Sequence, residues 1–274
     1  ANKIARIKKS IIVIPEEFNN DNFKNKNLST VIQKRPIGTG DAVKKAVSLL
    51  ENFEGLVIIC FADTPFITPK TIKNITKAFK NETDLVITGF NKIEENKYGK
   101  ILFDDQKLPY EILEYKDAKD KKISSNFCNG GVMGIRSSAL KYLSEIKKNS
   151  LSKEYYLTDI VKILRRNNKK VSCVEINEDE ILGINTQLDL SLAESFSQSL
   201  IREKAMSNGV KLINPSSIFI NHDTKFGKDV TVHPNVVFGS NVIIDSFVEI
   251  KSFSHIEECR IKKGTIIGPF ARIR

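Results

Sequence analysis

The stretch INHDTKFGKDVTVHPNVVFGSNVIIDSFVEIKSFSHI, residues 220–256, decides how the second half of this chain folds. An apolar residue returns at every sixth position: Ile220, Phe226, Val232, Phe238, Ile244, Ile250 and Ile256. Four positions after most of these stands a small or β-branched residue, at Thr224, Val230, Val236, Val242 and Val248. A glycine follows the apolar position at Gly227, Gly239 and Gly268. The register slips by one residue at Ile261 and resumes at Ile267 and Ile273. This period belongs neither to a helix nor to a simple alternating strand. It is the hexapeptide repeat of a parallel β-helix, in which three hexads close one triangular coil. The apolar residue points inward, and the corners favour Gly, Asn and Asp. An ordinary β-sandwich would show turn signals at roughly 8–12-residue intervals instead.

Upstream of the repeat, Leu188, Leu190, Leu192, Ala193, Phe196, Leu200 and Ile201 precede an Asn208-Gly209 stop. Residues 188–208 are therefore expected to form one long linker helix. Residues 209–274 then hold the first coils of the β-helix. Residues 1–187 read differently, alternating strand-like with helix-like segments. Ile11 to Ile14 and Leu28 to Ile32 are candidate strands, and Asp41 to Leu50 a candidate helix. Leu56-Val57-Ile58-Ile59-Cys60-Phe61 is a continuous apolar run, expected as a strand covered on both faces, with Cys60 as a core residue. Thr68 to Phe79 reads as a helix and Leu85 to Phe90 as a strand. This alternation predicts an α/β domain with a mainly parallel sheet, whose ligands gather at the carboxyl ends of its strands.

The bulk numbers narrow the function classes. With 43 Lys and Arg against 33 Asp and Glu, the net charge is +10. The excess lysines are spread along the whole chain beside Asn and Glu, as on a solvated surface, so neither a nucleic-acid nor a membrane partner is expected. The densest cluster, Arg165, Arg166, Lys169 and Lys170, suits a helix C-terminus. The four cysteines lack metal or redox spacing and fit a reducing cytoplasm. No segment approaches the roughly 20 apolar residues of a membrane span, and no signal peptide opens the chain.

Several segments could carry chemistry. Gln33 to Ala42 contains Gly38-Thr39-Gly40 leading into a helix, a loop that admits a phosphate or serves as a plain turn and N-cap. Asp63 follows a buried strand, where a lone carboxylate suits Mg²⁺ or caps the helix after Pro65. Tyr98-Gly99-Lys100, Glu114 to Ala118, Asn129-Gly130-Gly131, Glu154 to Asp159 and Gly183 to Thr186 are each weak alone.

In this order and context, these segments resemble the bifunctional bacterial N-acetylglucosamine-1-phosphate uridylyltransferase/glucosamine-1-phosphate N-acetyltransferase family. The resemblance rests on Gln33 with Gly38-Thr39-Gly40, Asp63-Thr64-Pro65, Tyr98-Gly99, Glu114 with Lys116-Asp117-Ala118, Asn129, Glu154-Tyr155-Tyr156-Leu157-Thr158-Asp159 and Gly183-Ile184-Asn185. It implies a Rossmann-like nucleotide-diphospho-sugar transferase domain over residues 1–187, followed by a left-handed β-helix. It further implies that Gln33, Gly38 and Thr39 contact the uracil end of UTP. Asp63 and Asn185 would hold Mg²⁺, and Gly99, Glu114 and Asn129 would contact N-acetylglucosamine-1-phosphate. Phe61 and Ala62 fall at further substrate-binding positions, where the family commonly has Tyr-Gly. Asp41 stands where it commonly has His. No covalent nucleophile or catalytic base is implied for the uridylyl transfer.

Two expected features are missing from the sequence. The family's Gly-rich loop with its Arg and Lys has no counterpart, so several dozen N-terminal residues, including the first strand, are expected to be absent, with Ala1 falling in a helix. Residues 220–274 supply about three coils at roughly eighteen residues each. The later coils, with the acetyl-CoA site and catalytic His, are expected to be missing too. His222, His233 and His255 are expected to be surface or corner residues. The polypeptide alone is therefore expected to be impaired, and the full-length protein to be a homotrimer through its β-helix. Two alternatives remain open at this point: a nucleotidyltransferase for another sugar-1-phosphate, and a non-catalytic β-helix scaffold or remnant.

Overall fold

A computed structural model describes residues 7–18, 28–79, 82–118 and 125–274. The helix expected at Ala1 falls on residues 1–6, outside the described ones. The chain divides into two compact units, Ala1–Gly183 and Ile184–Arg274.

In the first unit, β1 (Ser10–Pro15) and β2 (Leu28–Gln33) form a parallel pair, followed by α1 (Thr39–Val47). Then come β3 (Leu56–Ile59), α2 (Pro69–Ala78), β4 (Leu85–Asn91), β5 (Lys100–Phe103), β6 (Pro109–Leu113) and α3 (Tyr115–Ala118). β7 (Phe127–Arg136), a 3₁₀ segment (Ser137–Glu145), α4 (Asp159–Arg166) and β8 (Val171–Glu175) complete it. The strand order is β6-β5-β7-β4-β8, with β3 also on β7.

β4 is the fully buried strand, and its alternation explains the layers. Leu85 and Ile87 face a core with Leu157, Ile160, Val161 and Leu164 from the α4 side. Val86 faces Ile75 and Phe79 from the α2 side. Successive side chains leave a strand on opposite faces, so one apolar run serves both layers. Both ends of α2 are satisfied. The Thr68 hydroxyl accepts from the Thr71 N–H at 3.3 Å, and Glu180 Oε2 accepts from the Thr68 N–H at 2.8 Å. At the other end, Arg136 Nη2 donates to the Phe79 carbonyl at 2.7 Å.

Several expectations change here. The sheet is mixed: β4 and β8 run parallel, but β3, β4 and β5 all pair antiparallel with β7. The apolar run at Leu56 gives a strand of four residues, half-buried, and among the described residues it pairs with one neighbour, β7, rather than two. Cys60 lies past its end and is exposed. The cap of α2 is Thr68, not Asp63.

The second unit opens with α5 (Gln187–Ser207). Its capping box pairs Thr186 with the N–H of Asp189, and Asp189 with the N–H of Thr186. The backbone N–H donors of Asn185 and Thr186, with the Thr186 hydroxyl, hold the Asp189 carboxyl below its usual range. Beyond α5, two-residue strands stack into three parallel sheets: Phe219–Ile220 under Val237–Phe238, His255–Ile256 and Arg272–Ile273; Lys225–Phe226 under Ile243–Ile244 and Arg260–Ile261; and Lys211–Leu212 under Thr231–Val232, Glu249–Ile250 and Ile266–Ile267. This is a parallel β-helix. The apolar residues read as inward face the interior, buried at Val232, Phe238 and Ile244 and half-buried at Phe226; the small residues at Val230, Val236 and Val242 are buried as well. The slip before Ile261 is absorbed at the Glu258 corner, so Ile243 still pairs with Arg260 and Ile244 with Ile261.

The corners hold a surprise. Asp229, Asn235 and Asn241 adopt positive φ as expected, but so do Phe247, Phe253, Glu258 and Phe270. Bulky residues pay about 1–2 kcal/mol for that conformation. Two contacts offset it: the Phe247 and Phe270 N–H groups donate to carbonyls of the preceding coil, Lys228 and Ser252, at 3.0 and 3.2 Å. The Phe253 and Phe270 rings also stack at 5.2 Å. The first edge of the β-helix is closed by α5. Gln198 Nε2 donates to the Ile220 carbonyl at 2.9 Å, and Gln198 Oε1 accepts from the Ile220 N–H at 3.0 Å.

Phe238 is fully buried and meets Phe226 edge-to-face at 5.2 Å. Phe238→Ala is expected to cost about 3–5 kcal/mol, read as a lowered urea midpoint for this unit. A change under about 1 kcal/mol would show that the coil interior repacks freely.

Candidate functional site

The loop before α1 is held by backbone bonds to a distant segment. The Tyr155 N–H donates to the Ile37 carbonyl at 2.8 Å, and the Gly40 N–H donates to the Tyr155 carbonyl at 2.8 Å. The Leu157 N–H donates to the Thr39 hydroxyl oxygen at 3.2 Å. Gly38 has φ +115°, and a Cβ there would sit 2.5 Å from the Tyr155 carbonyl oxygen. The glycine is thus required by the loop's own docking. Gln33 ends β2 beside this loop. Its Nε2 donates to Asp41 Oδ2 at 2.8 Å and to the Gly38 carbonyl at 3.2 Å.

A second cluster forms where β5, β6 and β7 meet. Gly99 precedes β5, Glu114 follows β6, and Asn129 lies inside β7. The Asn129 N–H donates to the Gly99 carbonyl at 2.8 Å, and Asn129 Oδ1 accepts from the Gly131 N–H at 3.1 Å. A Cβ on Gly99 would stand 3.3 Å from Glu114 Oε2. The buried Thr158 hydroxyl donates to Glu114 Oε1 at 2.7 Å. Burial pushes the Glu114 carboxyl above its usual range, opposed by the Thr158 hydrogen bond; Asp117 and Asp159 add to the rise, and Lys116 opposes it.

Phe61, Ala62 and Asp63 follow β3. The Phe61 ring lies against Gly131, and its carbonyl accepts from the Thr64 hydroxyl at 3.1 Å. Asp63 is exposed and accepts no hydrogen bond among the described residues. Asn185 belongs to the second unit, where its exposed backbone N–H donates to Asp189 at 3.0 Å. Among the described residues, no group of three or more His, Cys, Asp or Glu is placed to hold a metal. Nor is any described helix long and apolar enough to cross a membrane. His222 is exposed, while His233 and His255 face Glu249 and Glu257 at 2.8 and 3.6 Å.

The structure therefore gathers Gln33, Gly38 and Thr39 at one loop, and Gly99, Glu114 and Asn129 at one strand junction. Sequence reading missed two partners. Thr158 was visible only as part of a longer motif, although a buried carboxylate needs a donor and so gave a hint. Asp41 was noted only as a departure.

Comparison with known proteins bears on the whole chain. No family model matches it. It is 40% identical over 248 residues to the bifunctional protein GlmU of Paramagnetospirillum magneticum, covering 89% of this chain and 55% of that one. The GlmU of Roseobacter denitrificans is 38% identical over 245 residues, covering 89% and 54%. That of Zymomonas mobilis is 35% identical over 250 residues, covering 90% and 56%. The chain is GlmU-like. The likeness extends over both compact units, since alignments of this length exceed either one. The chain spans about half the length of the curated relatives it matches.

The buried Glu114 makes a pH prediction. Its folded pKa is raised, so the native state holds this proton more firmly than the unfolded chain. Native stability is therefore lost as pH rises from the ordinary carboxylate range through the folded pKa. Glu114→Gln removes that loss. The variant is expected to match the wild type in acid and to exceed it near neutral pH in urea unfolding. A difference independent of pH would contradict the assignment.

Proposed function

We propose that this chain carries the nucleotide and sugar sides of a uridylyltransferase site, which joins UTP and N-acetylglucosamine-1-phosphate to give UDP-N-acetylglucosamine and pyrophosphate. The observation that carries this reading is the segment Tyr155–Thr158, which contacts both the Gly38 loop and Glu114. The motif resemblance, together with the likeness to GlmU proteins, supports the substrate class.

In this reading Gln33, Gly38 and Thr39 hold the uracil, with an N–H group at the start of α1 that no intrahelical acceptor reaches, Thr39 or Asp41, facing the ligand. Phe61 and Ala62 lie along the same substrate. Glu114 accepts a sugar hydroxyl, its carboxylate oriented by Thr158. Gly99 lets the sugar approach the backbone closely, and Asn129 contributes a polar contact. An oxygen of the sugar phosphate attacks the α-phosphorus of UTP, and the bond to pyrophosphate breaks. Residues of the chain contribute alignment rather than a covalent bond. Asp63 and Asn185 offer a carboxylate and a carboxamide oxygen, the hard donors that Mg²⁺ prefers, and Asp63 is committed to no other contact among the described residues. When bound, the ion would neutralise phosphate charge.

The larger protein would also transfer acetyl from acetyl-CoA to glucosamine-1-phosphate and assemble as a homotrimer through a left-handed β-helix. We place it in the cytoplasm, where its cysteines stay reduced. The 274-residue polypeptide contains no Gly-rich Arg/Lys loop. We expect it to bind UDP-N-acetylglucosamine but to turn over UTP poorly.

Calorimetric titration with UDP-N-acetylglucosamine tests the reading. The wild type is expected to bind, and Glu114→Ala to bind about 10- to 100-fold more weakly, the worth of one hydrogen bond to a charged group. Equal affinity for the two proteins, or preference for another sugar, would overturn it.

A further inference from the structure

We infer that Asp41 is a positioning residue that fixes the amide of Gln33, so that an acceptor rather than a donor faces the nucleobase and selects a base carrying a ring N–H. The inference rests on the nucleotide reading above.

The argument is one of hydrogen-bond accounting. A glutamine amide has two N–H donors on nitrogen and acceptor sites on oxygen. Both contacts of the Gln33 Nε2 are to groups that only accept: Asp41 Oδ2 at 2.8 Å and the Gly38 carbonyl at 3.2 Å. Reversing the amide would set oxygen against oxygen twice, so this orientation follows from the partners themselves. Oε1 is then the polar atom left over. It has no partner among the described residues and is not among the buried polar atoms that lack one, so it is open to a ligand.

Asp41 is fixed in turn. It lies in the first turn of α1, where a carboxylate suits the helix dipole. The same turn starts at Gly38, which is locked against Tyr155. The carboxylate therefore holds the glutamine from a rigid base.

The consequence is a pairing rule. Uracil presents a ring N–H donor beside a carbonyl acceptor. The Gln33 Oε1 takes the first, and an orphan N–H at the start of α1 suits the second. Cytosine reverses both groups, placing a ring nitrogen acceptor where uracil has its N–H. A site of fixed polarity rejects such a base, because buried polar groups are left unmatched. Without Asp41, the longer bond to the Gly38 carbonyl alone opposes a turned amide, and the glutamine discriminates the two bases less.

The test uses the 274-residue chain with UMP and CMP as probes, their affinities measured by calorimetry. The wild type is expected to favour UMP by on the order of 10- to 100-fold. Asp41→Ala is expected to lower that preference at least about threefold, mainly by improving CMP binding. Asp41→Glu keeps a group that only accepts and is expected to retain most of the preference. The ratio reports polarity rather than general damage, since a loosened fold weakens both nucleotides alike. If UMP is preferred and Asp41→Ala leaves the ratio unchanged, the inference fails while the nucleotide reading stands. If the wild type binds neither nucleotide, both fail. If Asp41→Glu behaves as Asp41→Ala, the acceptor role of Asp41 is refuted.

Discussion

Four consecutive residues, Tyr155 to Thr158, tie together the two halves of the candidate site. Tyr155 clasps the loop before α1 through its own N–H and carbonyl, and Leu157 adds a third bond to Thr39. Thr158, the last of the four, holds Glu114. Backbone bonds fix the loop's position, and the Leu157 side chain anchors the segment in the main core. Polar side chains presented by loops are imprecise unless a rigid element supports them. Here the support is shared, so the Gly38 loop and the Gly99–Glu114–Asn129 cluster are set against one frame.

That frame depends on β7. It pairs with β3, β4 and β5, and so carries the load of a mixed sheet. Its early part places Asn129 beside Gly99, and its later part builds the interior against α2 and α4. Burial of Glu114 is a consequence of this crowding. The carboxyl is destabilised as an ion, and the Thr158 hydroxyl and, more weakly, Lys116 work in the other direction. Functional groups held in such opposition are common where a site must recognise a ligand rather than water.

The sequence was most legible where one period governed many residues. The hexads at Ile220 to Ile256 named the inward positions correctly because each coil repeats the same packing demand. They were silent on the corners, where Phe247, Phe253 and Phe270 take a conformation that intrinsic preference gives to Asn or Gly. Contacts between coils decide those positions, and they lie about eighteen residues apart in the chain. In the first unit the strands at Ile11, Leu28, Leu56 and Leu85 were found, yet Leu56 to Phe61 was read as more buried than it is. Apolar content alone does not say how many neighbours a strand has. The two motif clusters were legible through resemblance. Their supporting bonds were not: Gln33 to Asp41 and Glu114 to Thr158 are choices of rotamer, visible only once the backbone is placed.

The central claim is that the Gly38 loop and the Gly99–Glu114–Asn129 cluster form one site for a uridine-diphosphate sugar. Amide NMR mapping of the chain during titration with UDP-N-acetylglucosamine tests it most directly. Saturable shifts are predicted at Gly38, Thr39, Gly99, Asn129 and the Gln33 side chain, all with one dissociation constant. Shifts confined to the β-helix, or two clusters that titrate independently, would contradict it.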